Sequence, residues 1–392
     1  MPTTEERLAA LEKQMAAWMT QQPTTYYTHQ YSGEEIDDAV ARALPNGAID
    51  QAAGTFVRPN LLDNWYFGNP VDQRKGYIVP AGVEYYKVDG FVPQGPIPET
   101  VRVDYIDDEG SARFNYGGVP CYVPKGGGYV RGYTGNGYTV DRWGILNNVT
   151  ATLKNASLNI AYTESGWNLY TFLDNVLMPG TTYTLSCLYK ASGNPIRLVC
   201  TWGTNKFFYN EQAPISDDWT LAEITGTIPA DATIDGNDIV VQSLGSGTGN
   251  FSLKAIKLEL GPTQTLAHKE GDRWVLNEVP EYGDQLRRCQ RYCFAWAYGA
   301  KKMHCLTVMQ CVRPGMLYGL IPTPVTMRTN PVCTGGSLTT FAGKVTGISG
   351  LTVCANGIRA IASIEGTNTV EGQAVGIENA EDNGIVIFSA DL

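Results

Sequence analysis

The sequence of 392 residues lacks long apolar runs and clusters of basic residues. No stretch approaches the roughly 18 apolar residues of a membrane-spanning helix, and the N-terminal Met-Pro-Thr-Thr-Glu-Glu-Arg has no apolar signal region. Charged residues make up only 17% of the chain, and the net charge is −10. Because a negatively charged chain repels phosphate backbones, we do not expect nucleic-acid binding. The lack of a long apolar run likewise leads us to expect no membrane insertion.

Motifs that carry catalysis are also missing. The sequence has no GxSxG elbow, no HExxH helix and no P-loop, and it has only three histidines. Its nine cysteines include no CxxC pair, which favours reduced, buried thiols in a chain folded in the cytoplasm. Cys289 and Cys293 lie one helical turn apart, but no third ligand is near, so core packing is favoured over a metal site. We expect no catalytic residue and no metal centre.

Glycine, proline and tyrosine are abundant instead. The chain has 43 Gly, 21 Pro and 22 Tyr, a composition that suits short strands joined by many turns. The length is sufficient for two or three domains that each bury a core. We therefore predict a mainly β fold.

Residues 1–54 differ, because they carry two helix patterns. Thr3 and Glu6 form a capping box, and a second box begins at Ser32. Each helix has an apolar stripe too small to fold alone, so we expect an N-terminal helical stalk, a coiled coil built from several associated chains. The alternative is that the helices fold onto their own chain. The residues expected to drive oligomerisation are Leu8, Leu11, Met15, Trp18, Ile36, Val40 and Leu44.

Residues 55–262 are expected to form a jelly-roll β-sandwich, because short apolar runs alternate there with turn residues. Residues 74–137 interrupt the pattern as a Tyr-rich insertion with a hairpin around Asp107. This insertion forms either a β subdomain with an aromatic core or a binding surface. The strands expected in the rest of the sandwich are 158–162, 167–173, 183–189, 196–201, 206–209, 220–227, 239–243 and 251–260.

Residues 263–280 are expected to form a polar connector to a last domain, 281–392. A helix at its start is predicted to carry Leu286, Cys289 and Cys293 on one face. Strands broken by Gly and Pro follow, and we expect a compact antiparallel β-sandwich.

Four stretches resemble the distal part of phage tail fibre and receptor-binding proteins, especially those of prophages of Gram-positive bacteria. They include Asn-Leu-Leu-Asp-Asn-Trp-Tyr-Phe-Gly-Asn-Pro-Val-Asp-Gln-Arg at 60–74 and Gly-Tyr-Thr-Val-Asp-Arg-Trp-Gly at 137–144, with 251–260 and 286–293. Within the sandwich, Pro-Gly-Thr-Thr-Tyr-Thr-Leu-Ser at 179–186 and Lys-Leu-Glu-Leu-Gly at 257–261 resemble carbohydrate-binding modules.

This resemblance implies a protein of the virion tail that is folded in the host cytoplasm and acts at the host cell surface. It also implies that the stalk is a parallel homotrimer and that residues 281–392 form the tip of the molecule. The expected partners are host cell-surface polysaccharide and, through the N-terminal region, another phage tail or baseplate protein.

Sugar binding needs aromatic faces for the C–H side of a pyranose, with amides or carboxylates for its hydroxyl groups. Each tryptophan of the sandwich is more often core than ligand, but Trp202 lies in a loop-like, polar stretch and is the best exception. Asn168 and Asp218 are polar neighbours, and Trp143 is taken as structural. The expected glycan-binding residues are Trp202, Asn205, Trp167, Tyr170 and Trp219.

Asp231, Asp235, Asn237 and Asp238 surround Gly236 and could hold calcium, although the spacing is not that of an EF-hand loop. An ordinary solvated turn is favoured over this calcium site. No other cofactor is expected.

Two alternatives to a non-catalytic adhesin stay open. A polysaccharide depolymerase needs only two carboxylates, and the chain has 39 acidic residues, but no internal repeat suggests the long parallel β-helix of familiar tailspikes. A purely structural tail connector or adaptor would share the N-terminal helices, but it would not need an aromatic-rich outer half.

Overall fold

The computed structural model describes residues 57–390, except for positions 75, 91, 108, 148, 164–165, 175, 211, 246, 297–304, 336, 367 and 381–384. The predicted stalk, with all seven of its oligomerisation residues, lies outside the described residues.

The described chain is mainly β. Its strands are β1 (Tyr77–Val79), β2 (Glu84–Lys87), β3 (Pro93–Pro96), β4 (Val101–Arg102), β5 (Tyr105–Ile106), β6 (Ala112–Tyr116), β7 (Val119–Val123), β8 (Val130–Thr134), β9 (Gly137–Tyr138), β10 (Gly144–Leu146), β11 (Thr150–Lys154), β12 (Ser157–Tyr162), β13 (Asn168–Phe172), β14 (Thr182–Ser192), β15 (Ile196–Gly203), β16 (Lys206–Tyr209), β17 (Ser216–Thr227), β18 (Asp238–Ser243), β19 (Gly249–Leu260), β20 (Ala267–Glu270), β21 (Arg273–Leu276), β22 (Cys293–Trp296), β23 (Cys305–Arg313), β24 (Met316–Pro322), β25 (Val332–Gly335), β26 (Leu338–Thr340), β27 (Gly343–Cys354), β28 (Gly357–Ile364), β29 (Ala374–Asn379) and β30 (Val386–Ser389). Helix α1 (Tyr282–Gln290) precedes β22, and no helix among the described residues is long and apolar enough to cross a membrane.

Two antiparallel sheets form the central sandwich. One has eight strands in the order β17-β14-β19-β12-β11-β8-β1-β4, and the other has six in the order β16-β15-β18-β13-β10-β9. All eight strands predicted between 158 and 260 are present within a few residues of their expected bounds. The prediction of a β-sandwich is confirmed by these two sheets. The strand bounds agree with the sequence because turn residues between the apolar runs end each strand.

The segment 60–74 packs along the sandwich without becoming a strand of either sheet. Tyr66 makes one isolated antiparallel bridge to Ala255, and Trp65 and Phe67 are buried in the core. The Asn64 side chain closes the loop, since its Oδ1 accepts from the Val71 amide at 2.7 Å and its Nδ2 donates to the Val71 carbonyl at 2.8 Å.

The insertion is a subdomain with its own core. Its five-stranded sheet has the order β3-β2-β7-β6-β5, while β1, β4 and β8 extend the larger sandwich sheet. The predicted hairpin is confirmed, because β5 pairs with β6 across the turn at Asp107. The buried side chains of this core are Val79, Ile97, Val103, Ala112, Phe114, Cys121 and Val123.

The expected polar connector is instead joined to the sandwich core. Strands β20 and β21 form a hairpin, and Leu266 and Ala267 before and within it are buried. The fully buried Lys257 donates to Glu278 at 2.9 Å and to Thr265 at 3.0 Å, which ties both ends of the connector to strand β19.

The C-terminal region is antiparallel β, but it is not a sandwich. Six strands close into a barrel in the order β23-β24-β28-β27-β26-β29, and β22, β30 and β25 form a separate sheet. Two register shifts in the 12-residue β27 accompany this closure, because bulges bend and twist a long strand. The prediction that Cys289 and Cys293 lie on one helical face is wrong. Helix α1 ends at Gln290, and Cys293 begins strand β22.

Candidate functional site

Two of the predicted sugar-binding residues occupy structural positions. Trp167 is 1% exposed, and its ring centroid lies 4.9 Å from that of Phe251 in the core. Asn205 lies in the turn between β15 and β16 with a φ of 57°, a left-handed conformation that asparagine tolerates better than most residues. Trp167 therefore has no ring face open to a ligand. Asn205 is exposed in its turn, and its role in glycan binding stays a prediction.

Trp202 is not in a loop, as the sequence suggested. It lies in strand β15, is half-buried, and stacks on Phe208 with ring centroids 6.1 Å apart. A register shift between Thr201 and Gly203 accompanies this placement against the sandwich core. Its position corrects the expectation of an exposed stacking residue.

Trp219 is half-buried in β17, the edge strand of the larger sheet. The ammonium groups of Lys190 and Lys254 lie 5.3 and 5.6 Å from its ring centroid, within the range of a cation–π contact. Asp218 beside it is exposed. Trp219 is thus engaged by two cations, and it lies on the other sheet from Tyr170.

Tyr170 is the predicted residue that leads to a coherent surface. In strand β13, Leu169 and Thr171 are buried between the sheets, so Tyr170 and Phe172 face outward from the six-stranded sheet. Their rings meet edge to face with centroids 5.5 Å apart. Tyr170 lies directly over Gly144, where an added methyl carbon would come within 2.4 Å of its Cζ.

Neighbouring strands continue this row across the sheet. Tyr170 pairs with Val240 of β18, Val240 pairs with Val199 of β15, and Val199 pairs with Tyr209 of the edge strand β16. Three strand spacings, about 14 Å, separate the two tyrosines. Phe207, also on β16, is 43% exposed and Tyr209 is 42% exposed.

A polar row runs beside the aromatic one. Asn168, Gln242 and Arg197 are cross-strand neighbours, and the Arg197 guanidinium lies 4.8 Å from the Tyr209 ring centroid. We call this outward face of the six-stranded sheet the platform. Its members are Asn168, Tyr170, Phe172, Arg197, Val199, Thr201, Phe207, Tyr209, Asp238, Val240 and Gln242.

The platform offers groups of the kinds that suit saccharide binding. Aromatic faces suit the C–H side of a pyranose, and amide and guanidinium groups can bond its hydroxyls. Among the described outward residues of β13, β15, β16 and β18, Asp238 is the one carboxylate. Glycosidic hydrolysis ordinarily uses two carboxylates that flank the bond.

Sequence reasoning found Asn168 and Tyr170 but missed the rest of the platform. We did not assign from the sequence which residues of each strand point outward. Outward residues alternate with buried ones along a strand. Leu169 and Thr171 around Tyr170, and the apolar Ile239 and Val241 around Val240, were the available signal.

The acidic turn proposed for calcium is engaged by the protein itself. Asp235 accepts from the Thr204 amide at 2.6 Å and from the Thr204 hydroxyl at 3.0 Å, and Asn237 donates to the Leu173 carbonyl at 2.6 Å. Within the part of the chain that the structure describes, no three His, Cys, Asp or Glu side chains converge as a metal site. The ordinary turn remains the favoured interpretation, and calcium binding stays an untested alternative.

No family model and no curated protein matches the sequence. Several solved structures resemble part of the chain. A xylan-binding domain of the CBM22 type is 17% identical over 34% of this chain and 97% of that one, with a TM-score of 0.26. A CBM4 structure is 18% identical over 31% of this chain and 88% of that one, with a TM-score of 0.25. The enzymatically active domain of tailspike protein 4 of bacteriophage CBA120 is 12% identical over 30% of this chain and 19% of that one, with a TM-score of 0.25. At these scores the likeness assigns neither a family nor a ligand.

Proposed function

We propose that this chain is a virion tail fibre or receptor-binding protein that attaches a phage to host cell-surface glycan by non-covalent binding. The platform carries the proposal, because Tyr170, Phe207 and Tyr209 present aromatic surface beside a row of amide and guanidinium groups. The motifs at 60–74 and 137–144 support the assignment to a tail protein, since they resemble those of phage receptor-binding proteins.

The proposal is that the platform binds glycan without cleaving it. Asp238 stands at the end of the platform without a second outward carboxylate on β13, β15, β16 or β18 among the described residues. Without a paired acid and base, this surface can hold a glycan and release it unchanged.

The proposal includes a parallel homotrimer that is joined to another tail or baseplate protein through residues 1–54. Two apolar stripes in that region need partners, and a trimer would bring three copies of a weak site to one host surface. The outer surface of the barrel offers further apolar area for contacts between chains, with Val308, Phe341 and Val370 all more than half exposed.

Alanine substitutions on the platform test the function. Tyr209→Ala and Tyr170→Ala should each weaken retention on purified host-wall glycan by about 1–3 kcal/mol, or roughly 5- to 150-fold, because each removes stacking surface. Melting temperature should change little for Tyr209, which lies exposed on an edge strand. The measurement is a pull-down titration of the intact chain against the glycan.

Tyr318→Ala is the matched control, because Tyr318 is similarly exposed but lies on the barrel. Unchanged retention in both platform variants would refute the assignment of the platform. New reducing ends in the incubated glycan would replace the adhesin with a depolymerase.

A further inference from the structure

A cleft of about 420 Å³ lies next to the platform, between the sandwich and the residues at and after helix α1. Phe172, which contacts Tyr170 on the platform, also lines the cleft. The charged residues that line the cleft are Asp63, Arg142, Asp174, Arg288, Arg291 and Arg328.

One carboxylate serves two of the arginines. Asp63 accepts from the Arg288 Nε at 2.7 Å, and its second oxygen lies 3.6 Å from the Arg142 Nε. Both guanidiniums therefore share a single negative charge.

The second carboxylate is similarly occupied. Asp174 accepts from Arg328 at 3.0 Å through Oδ1 and from the Tyr292 hydroxyl at 2.7 Å through Oδ2. The Arg142 guanidinium lies 3.5 Å from the Tyr292 ring centroid. Tyr292 thus contacts both Arg142 and Asp174 at the wall of the cleft.

Arg142 is held in an unusual conformation. Its backbone φ is 71°, in the left-handed region that residues with a Cβ rarely adopt, and its side chain is 5% exposed. The guanidinium also donates to the Phe172 carbonyl. Such a conformation persists only where the surrounding structure holds it, and these residues often lie at functional sites.

The lining residues carry a surplus of two positive charges, because four arginines face two aspartates. Arg291 is exposed, and it has no ion pair within the described part of the chain. This local charge is opposite in sign to the net charge of −10. Guanidinium groups match the planar, two-oxygen geometry of carboxylates and phosphates.

We propose that this cleft binds an oxyanion, a carboxylate or a phosphate, carried by an acidic saccharide that also lies on the platform. The oxyanion site stands on the cleft alone, whereas naming a saccharide as its carrier rests on the proposed function. Continuity through Phe172 allows one ligand to reach both surfaces.

Calorimetric titration of the full chain at low salt tests the site with two matched pairs of probes. The first pair is trigalacturonate and its neutral methyl ester, and the second is glucose 6-phosphate and glucose. In at least one pair, the anion should bind at least tenfold more tightly than its neutral partner, and added salt should reduce the difference. A preference in the first pair identifies a carboxylate, and one in the second identifies a phosphate.

Arg291→Gln and Arg288→Gln should each weaken anion binding three- to tenfold. Arg287→Gln is the control. Arg287 lies beside Arg288 on helix α1, pairs with Asp284 and does not line the cleft. Equal affinity within both pairs, or an equal loss in the Arg287 variant, would overturn the oxyanion site.

The two proposals can fail separately. Neutral saccharide binding that is lost in Tyr209→Ala, without any preference for anions, keeps the platform and refutes the cleft. Anion binding that depends on Arg291 but is unaffected by Tyr209→Ala keeps the cleft and refutes the platform.

Discussion

Two sheets of this molecule carry cross-strand rows of aromatic and cationic side chains, and they differ in how the tyrosines are spaced. In the five-stranded sheet of the insertion, Tyr86, Tyr122, Arg113 and Tyr105 are successive neighbours across four strands. Tyr86 and Tyr122 stack on each other with centroids 5.3 Å apart, and the Arg113 guanidinium covers Tyr122 at 4.6 Å.

On the platform, by contrast, two valines separate Tyr170 from Tyr209. The tyrosines therefore cannot stack on each other, and apolar surface for a ligand remains between them. In the insertion, Arg113 also pairs with Asp107 at 2.7 Å. A guanidinium covers a tyrosine ring in both rows, since Arg197 lies 4.8 Å from the Tyr209 ring centroid, so the two rows differ in the spacing of their tyrosines.

The largest expected effect is on the insertion core. Phe114 is 2% exposed there, and Phe114→Ala should lower the free energy of unfolding of the subdomain by about 3–5 kcal/mol through lost burial and a cavity. Glycan retention should persist, because the platform belongs to the other core. Denaturant titration combined with the pull-down measures both, and a parallel loss of retention would show that the insertion takes part in binding.

The junction between insertion and sandwich should make stability depend on pH. Asp141 is buried there, accepts from the Gln73 side chain at 2.7 Å and lies 3.5 Å from the Arg74 guanidinium. Burial raises the pKa of Asp141 to about 7, and it does so against the opposing effects of Arg74 and Gln73. In the unfolded chain an aspartate titrates near pH 3.9, at about its ordinary value.

The folded state therefore keeps a proton that the unfolded state has lost between about pH 4 and pH 7. This contribution is fully present below pH 4, declines as the pH rises to about 7 and changes no further above that, with a total of at most about 4 kcal/mol. Unfolding titrations of wild type and Asp141→Asn from pH 5 to 8 should differ in slope. Identical slopes would contradict the assignment to Asp141.

A smaller effect is expected from Gly144→Ala on the platform. The added methyl group collides with the Tyr170 ring, so the ring must tilt away from the sheet. We expect a loss of about 1–3 kcal/mol in stability from overpacking, together with weaker glycan retention. Gly347→Ala on the barrel is the control, since a methyl group there meets no atom within 4 Å. Full retention by the Gly144 variant would show that the position of Tyr170 is unimportant.

The smallest expected effect is on the aromatic row of the insertion. Tyr105→Ala and Tyr86→Ala should change glycan retention by less than about 0.5 kcal/mol, the usual range for surface substitutions away from a site. The same pull-down applies, with Tyr209→Ala as the positive reference. A loss in either variant larger than that in Tyr209→Ala would reverse the comparison and place the binding surface on the insertion.

Much of the fold was predictable from local sequence signals. The strand at 206–209 was predicted with its observed bounds, and the turns at Asp107 and Asn205 lie where glycine, asparagine and aspartate indicated them. Such turns depend on a few adjacent residues, so the sequence contains the necessary information. Pairing partners far apart in the chain do not leave such a local signal.

The wrong predictions for Trp202 and Cys293 also arise from contacts with residues distant in the chain. Trp202 has polar sequence neighbours, yet a register shift places it against Phe208 in the sandwich. Cys293 continues the helical spacing of Cys289, but pairing with Ser389 draws it into a strand. In each case a distant partner overrides a local pattern.

The sequence by itself determined a mainly β chain and the strands of the sandwich, because alternation and turn chemistry act over a few residues. Only the tertiary structure decided that the C-terminal sheet closes into a barrel, that Tyr170 and Tyr209 share one outward face, and that Arg142, Arg288, Arg291 and Arg328 converge on one cleft. Those outcomes depend on strand register and on contacts between residues far apart in the chain, such as Asn60 and Arg288, which are 228 positions apart. Local periodicity cannot encode such pairings, since many registers satisfy the same alternation and only packing of the whole core selects among them.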